Sequence, residues 1–303
     1  MSGGHGGQVR LERIVIGVDF GAPSVSAVGW VRQHFAPGAE CLLVHAVDVP
    51  QAPGFLRGAF PSREELLKSA LTGASARLAE LCKVEGWDDM AVEVRDGRPE
   101  SVVAAAAKEW GADLVIVGEH ARPRGMWATL GSTAEALVRC SPVPVLLARD
   151  TAERPPARIL VAVDESDHAT AALRWGRLLA QRLGASLTAV HVFRPVYLGV
   201  ARSVSGLKAS LTLEPDQLIQ SEAWLDKRLS DAGFGPGEAE RRIELGEPAS
   251  ALVAAQRGGE FDLAVIGSRG AGGVGRMLLG SVANGLLRGA SCPVLVVTDR
   301  GTS

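Results

Sequence analysis

The chain has 303 residues, 47% hydrophobic and 22% charged, enough for two domains that each bury a core. Its 36 glycines and 16 prolines stay below the roughly 25–30% share of low-complexity chains, so disorder and collagen-like repeats are excluded as global readings. Lys and Arg number 32 against 34 Asp and Glu, a formal net charge of -2, which offers no electrostatic footprint for nucleic acid or an anionic membrane.

The segment from Met1 to Arg10 is Gly-rich, lacks the apolar run of a secretory signal, and reads as a flexible tail. No uncharged apolar stretch approaches the ~18–20 residues that cross a bilayer, so a cytoplasmic protein is expected. Cys41, Cys82, Cys140 and Cys292 show neither Cys-x-x-Cys spacing nor a compact disulfide framework and are expected to be reduced, mostly buried thiols.

Apolar runs near 13–18, 41–47, 91–95, 113–118 and 143–148 read as strands, and a second set follows near 158–163, 186–192, 241–245, 262–267 and 293–298. They are apolar almost throughout rather than alternating, as in strands covered on both faces. Helical patterns lie between them. Ser62-Arg-Glu-Glu65 is a capping box, and Pro215 and Pro248 suit first-turn positions. Leu173, Trp175, Leu179 and Leu183 form a core stripe on a helix near 170–183.

The two sets are copies. Arg13-Ile-Val-Ile-Gly-Val-Asp19 returns as Arg158-Ile-Leu-Val-Ala-Val-Asp164, Leu43-Val-His45-Ala-Val as Ala189-Val-His191-Val-Phe, and Ala112-Asp-Leu-Val-Ile-Val-Gly118 as Phe261-Asp-Leu-Ala-Val-Ile-Gly267. The period is that of a domain, far longer than the about 20–50 residues of a solenoid repeat. Residues 11–148 and 157–299 are the expected domains, joined by a polar linker ending in Pro155-Pro156. Strand–helix alternation predicts an α/β fold, doubly wound and parallel, twice over.

Ligands of such sheets sit beyond the carboxyl ends of the strands. In the second copy Gly267-Ser-Arg-Gly270, a spacer of nine residues and Gly280-Ser281 occupy that position. Gly280-Ser281 opens a helix whose free N–H groups favour a phosphate. Arg269 and Arg276 are candidate counter-charges, or simply solvated. The first copy reads Gly118-Glu-His-Ala121 and then Gly131-Ser132. Glu119 brings negative charge, Arg122 and Arg124 offer an offset, and Ala121 is costly only if that position needs a positive φ or a bare backbone.

The Gly-x-x-Gly-x₉-Gly-Ser pattern resembles the ATP-binding signature of the universal stress protein family. The match includes Val-Asp164, Val-His191-Val192 and the closing Cys-Pro293-Val-Leu-Val-Val, and covers nearly the whole chain as two tandem domains. The resemblance implies two five-stranded parallel sheets of order 3-2-1-4-5, flanked by helices, with ATP across the strand ends. Carried over by position, Asp164 and the Val192 backbone face the adenosine, Ile266 and Gly267 the ribose, and Gly270, Gly280, Ser281 and Val282 the phosphates, with Ala162 also in the set. The first copy carries a weaker set: Gly17, Asp19, Ala46, Val117, Gly118, Ala121, Gly131, Ser132 and Thr133. Magnesium would come with the phosphates rather than with a dedicated protein cluster.

Alternative roles stand beside these. Asp19 and Asp164 can cap the following helix. His34, His45, His120, His168 and His191, without metal-ligand spacing, read as structural, Cys292 as buried packing, and Trp30, Trp110, Trp127, Trp175 and Trp224 as packing residues. No Gly-Lys dipeptide occurs, and neither Gly-x-Gly-x-x-Gly nor a Ser-Gly-Gly loop follows either first strand, which argues against Walker-type, dinucleotide and adenylating enzymes. An ATP-binding regulator fits best; a slow ATPase and a nucleotide-free interaction module stay open, with an unnamed client protein. The apolar last strands, Val143–Leu147 and Val294–Val297, are expected to pair the two halves about a pseudo-twofold axis, with homodimers of whole chains also plausible. The long segments 48–61 and 194–214 read either as free surface loops or as flaps over the nucleotide.

Overall fold

A computed structural model describes residues 9–35, 38–50, 61–119, 131–149, 155–194, 215–270 and 279–298. The chain divides into two compact units, the first holding described residues 10–119 and 131–149, the second 155–298.

The first unit runs β1 (Arg13–Gly17), α1 (Ala22–His34), β2 (Glu40–Val47), α2 (Arg63–Glu85), β3 (Ala91–Asp96), α3 (Pro99–Trp110), β4 (Leu114–Gly118), α4 (Ser132–Cys140) and β5 (Val145–Ala148). Its strands lie in the order β3-β2-β1-β4-β5, every neighbouring pair parallel. The second unit repeats this with β6 (Arg158–Ala162), α5 (Asp167–Leu183), β7 (Ser186–Phe193), α6 (Pro215–Asp231), β8 (Glu240–Leu245), α7 (Pro248–Arg257), β9 (Leu263–Gly267), α8 (Ser281–Gly289) and β10 (Val294–Val297). Its order is β8-β7-β6-β9-β10, again parallel.

Both units are therefore doubly wound α/β folds of order 3-2-1-4-5. All ten expected strands are present. The apolar runs have the anticipated cause: Ile14, Val15 and Ile16 are consecutive, so they face opposite sides of the sheet, yet all are fully buried. Ser62 and Glu65 close the capping box of α2 in both directions, and Leu173, Trp175 and Leu179 of α5 are buried, while Leu183 is only half-buried. None of the four cysteines forms a disulfide; Cys140 is exposed and the other three are buried. Cys292 accepts from Gln256 Nε2 at 2.5 Å, and Gln256 Oε1 accepts from Ser291 N–H at 2.7 Å, a packing role.

The repeated aspartates before β4 and β9 have a structural use that their repetition alone did not reveal. Asp113 Oδ2 accepts from the N–H groups of Glu12 and Arg13, at 2.7 and 3.0 Å. Asp262 Oδ2 accepts from Ala157 and Arg158, at 3.1 and 3.0 Å. Each carboxylate thus ties the start of its unit's central strand to the neighbouring strand. Arg158 also closes an ion pair on Asp262, at 2.9 Å. Burial pulls the Asp262 carboxyl up, but the Arg158 guanidinium and the two backbone N–H groups outweigh it and hold the carboxyl below its ordinary value.

The sign follows from linkage. A depressed carboxyl contributes stability above its unfolded pKa of about 3.9 and loses it as pH falls through the lower folded value. Asp262→Ala is expected to destabilise the fold by about 1–3 kcal/mol, toward the lower end because the pair is partly exposed. Asp262→Asn should flatten the acid limb of a melting-temperature profile between about pH 2 and 5. A profile with the wild-type slope would remove Asp262 from the acid response.

Candidate functional site

In both units the carboxyl end of the fourth strand lies against the first turn of the helix that follows the first strand. A Cβ on Gly118 would stand 2.5 Å from the Pro23 carbonyl oxygen; one on Gly267 would stand 2.7 Å from His168 Cβ. Real Cβ atoms do not approach so closely, so glycine here lets helix and strand touch. This contact brings the turn after β6 beside the turn after β9.

Ser166 organises that junction. Its hydroxyl caps α5 by accepting from Ala169 N–H at 3.2 Å and donates to Asp164 Oδ1 at 2.5 Å, with the Arg269 carbonyl at 3.3 Å. Asp164 Oδ1 also accepts from Ser166 N–H at 3.0 Å. Asp164 therefore does not cap the helix; Ser166 does. A Cβ on Gly270 would meet Asp164 Oδ2 at 2.7 Å, and the Gly270 φ lies outside the left-handed region. The second signature glycine thus gives room to the carboxylate beside it rather than supplying an unusual backbone angle.

These turns frame a cavity of about 390 Å³. Ala162, Asp164, Val192, Ile266, Gly267, Gly270, Gly280, Ser281 and Val282, the whole set carried over by position, line it. So do Arg269, Ser166 and His191. Pro248 and Leu252, at the start of α7, form a wall that the sequence reading missed, although the same strand-end rule pointed to the helix after β8. Gly280 is the N-cap of α8 and offers no side-chain cap. The first N–H groups of that helix, from Ser281 onward, have no intrahelical acceptor and stand at the cavity. Among the described residues Asp164 is the one carboxylate in the lining, and no group of three His, Cys, Asp or Glu side chains could hold a metal.

The histidines at the second strands are structural, as expected. His45 Nδ1–H donates to the Val18 carbonyl at 2.7 Å and His191 Nδ1–H to that of Val163 at 2.9 Å. Each is covered by a ring: Phe20 lies 4.4 Å from His45, and Trp224 lies 4.7 Å from His191. Trp30 and Trp175 are core residues.

The first unit differs where the signature does. Gly17, Asp19, Ala46, Val117 and Gly118 stand at strand ends, and Gly131 caps α4 ahead of Ser132 and Thr133. Asp19 Oδ1 accepts from Gly21 N–H at 2.8 Å and from the Ser24 hydroxyl at 2.6 Å, so it too orders a turn rather than capping α1. The Glu119 charge is met from an unanticipated side. Arg149, at the end of β5, donates to Glu119 Oε2 through Nε at 2.7 Å and through a terminal nitrogen at 2.5 Å. The two side chains are only 8% and 13% exposed. The backbone shows the correspondence: Glu119 N–H donates to the Ala148 carbonyl as Ser268 N–H does to that of Val297, both at 2.8 Å. Thus Glu119 and Arg149 stand where the second unit has Ser268 and Thr298. Ala121, His120, Arg122, Arg124, Trp127, Arg276 and most of both long loops, residues 51–60 and 195–214, lie outside the described residues.

No helix among the described residues is long and apolar enough to cross a membrane. The model of the universal stress protein family matches residues 10–149 and again 156–298. A universal stress protein of Mycolicibacterium smegmatis is 28% identical over 302 residues, covering 95% of this chain and 97% of the relative. A Thermus aquaticus universal stress protein, from the QAH/OAS sulfhydrylase 3' region, is 38% identical over 141 residues, covering 46% of this chain and 96% of its own length. The crystal structure of a universal stress protein from Archaeoglobus fulgidus has the same fold, with a TM-score of 0.66 at 19% identity, covering 94% of this chain and 98% of its own. With a strand order, a strand-end cavity and two matches that together take in nearly its full length, the chain belongs to the universal stress protein family, as a member with two tandem domains.

Proposed function

We propose that the second unit binds ATP, with magnesium carried on the phosphates, and that the protein regulates a stress response through binding rather than efficient turnover. The observation that carries this reading is the convergence of the nine positions on one cavity. About 390 Å³ lies within the roughly 300–1,000 Å³ of small-molecule sites. Its two ends suit the two ends of a nucleotide. Asp164 and the β7 end, with Val190 and Val192, offer a carboxylate and apolar surface to a nucleoside. The α8 N-terminus and Arg269 offer N–H groups and positive charge to phosphates. Asp164 is the lining carboxylate that could share a magnesium ion with those phosphates.

Calorimetry with ATP tests the site directly. Gly270→Ala places a methyl group on the Asp164 carboxylate and is expected to weaken ATP binding about tenfold, or ~1.4 kcal/mol. Ser281→Ala removes one hydroxyl donor at the phosphate end and should weaken binding by about 0.5–1.5 kcal/mol. Wild-type protein that releases no nucleotide on heating and gives no heat with ATP would end the nucleotide reading.

The first unit is proposed to be the weaker or empty site. The Glu119–Arg149 pair fills its strand ends with large charged side chains in place of Ser268 and Thr298. One ATP per chain is expected, and Ser132→Ala should leave the affinity within about twofold of wild type, under 0.5 kcal/mol. Two equal sites per chain would refute the asymmetry.

The halves are proposed to pair through their apolar last strands, since an uncovered strand edge of this composition invites association. Separately expressed halves should then associate with each other or with themselves. Halves that remain soluble monomers at high concentration in sedimentation experiments would count against the pairing. Assembly of whole chains into a homodimer, and a client protein that reads the ATP-bound state, belong to the same proposal.

A further inference from the structure

The turn carrying Asp164 is held through its backbone carbonyls. The carbonyl oxygens of Val163, Asp164 and Ser166 are all engaged by side chains. His191 Nδ1–H donates to Val163. Arg228, from the last turn of α6, donates through one terminal nitrogen to the Asp164 carbonyl at 3.2 Å and to the Ser166 carbonyl. The guanidinium is placed by Trp224, whose ring centroid lies 5.9 Å away and which itself packs at a tilt against His191. Arg228 Nε is buried and has no hydrogen-bond partner among the described residues. The guanidinium therefore bears a desolvation cost at this place in order to hold two carbonyls.

The first unit does without this clamp. Aligning Leu78 with Leu225 and Gly86 with Gly233 puts Leu81 at the position of Arg228. There the corresponding turn contains Phe20, with φ at 62°, the only non-glycine residue among those described with a positive φ. Its ring lies on His45 and under the Arg77 guanidinium, 4.3 Å away. Asp19 is exposed in that arrangement, whereas Asp164 is half-buried and lines the cavity. The two units thus hold equivalent turns by different means, and in the second Arg228 fixes the carbonyls of Asp164 and Ser166 while His191 holds that of Val163.

We propose that Arg228 is a positioning residue for the second-unit site: by clamping the Asp164 and Ser166 carbonyls it aims the Asp164 carboxylate into the cavity, and so sets the affinity for the nucleoside end of the ligand. The inference rests on the nucleotide reading above. It assigns Arg228 no contact with ligand. Its effect passes through Asp164 and not through the phosphate end at Gly280–Val282.

A pair of double-mutant cycles on the full chain, read by calorimetric titration with ATP, separates this from a general structural role. Arg228→Met keeps the stem on Trp224 and removes the donors; it should weaken ATP binding about tenfold. Combined with Asp164→Asn, it should add less than about twofold, because the clamp has nothing left to aim. Combined with Ser281→Ala, the two losses should multiply. Should Arg228→Met fail to fold, Arg228→Lys, which keeps the charge but lacks the planar guanidinium that lies by Trp224, goes through the same cycles. Wild-type affinity in the Arg228 variant, multiplying losses with Asp164→Asn, or equal non-additivity with Ser281→Ala would each overturn the inference. Absence of ATP binding by the wild type would overturn the nucleotide reading and this inference with it, whereas wild-type binding with a failed cycle would overturn this inference alone.

Discussion

The site depends on one close approach, that of the helix after the first strand to the end of the fourth. In the second unit α5 begins on top of Gly267, so near that any Cβ would strike His168. From this follow the position of Ser166 as helix cap, the reach of its hydroxyl to both Asp164 and the Arg269 carbonyl, and the packing of Asp164 on Gly270. The first unit keeps the same approach at Gly118 and Pro23. The constraint belongs to the fold, and the chemistry laid over it is free to differ between the copies.

It does differ, and the energetics explain why the first copy can tolerate the change. A carboxylate placed at strand ends without a partner would be costly to bury; an ion pair of good geometry offsets that cost without adding much net stability. Glu119 and Arg149 meet through two donors on one oxygen. The charge that seemed from sequence to threaten a phosphate is therefore neutralised inside the unit. The pair stands at the strand ends of the first unit, with Arg149 already engaged by a carboxylate. In the second unit the same two positions hold small hydroxyl residues, and Thr298 Oγ1 is buried with no hydrogen-bond partner among the described residues.

The architecture was legible because its signals are local and were written twice. Ten apolar runs, a capping box and a duplicated strand-end motif each report a local requirement, and duplication lets one copy check the other. The nine positions that line the second unit's cavity came by way of the family resemblance, which the strand-end motif carries. What escaped were residues whose role exists only across long sequence distances. Arg149 meets Glu119 from another strand, Arg228 reaches Asp164 from another helix, and Pro248 and Leu252 form a wall from the edge of the sheet. Asp113 and Asp262 were visible as repeated letters, but their use, as acceptors for the first strand's N–H groups, needs the β1–β4 and β6–β9 pairings. The reason given for the second glycine was also incomplete: the bare backbone it supplies faces the chain's own carboxylate.

That last point bears on how the site is built. The Ser166 hydroxyl has a single proton and two acceptors, Asp164 Oδ1 at 2.5 Å and the Arg269 carbonyl at 3.3 Å. The shorter, charge-assisted bond takes the proton, so the turn after β6 is held firmly and the turn after β9 only weakly through the same hydroxyl. Asp164 Oδ2 leans on Gly270, which adds a second, steric link between the two turns. A ligand that occupies the cavity must touch both turns, since both line it. Because the firm half is fixed in advance by Ser166 and by the Arg228 clamp behind it, little ordering cost remains there at binding. The turn after β9, held by the weaker contact of the Arg269 carbonyl with the Ser166 hydroxyl and by Gly270 against Asp164, is the half left to adjust.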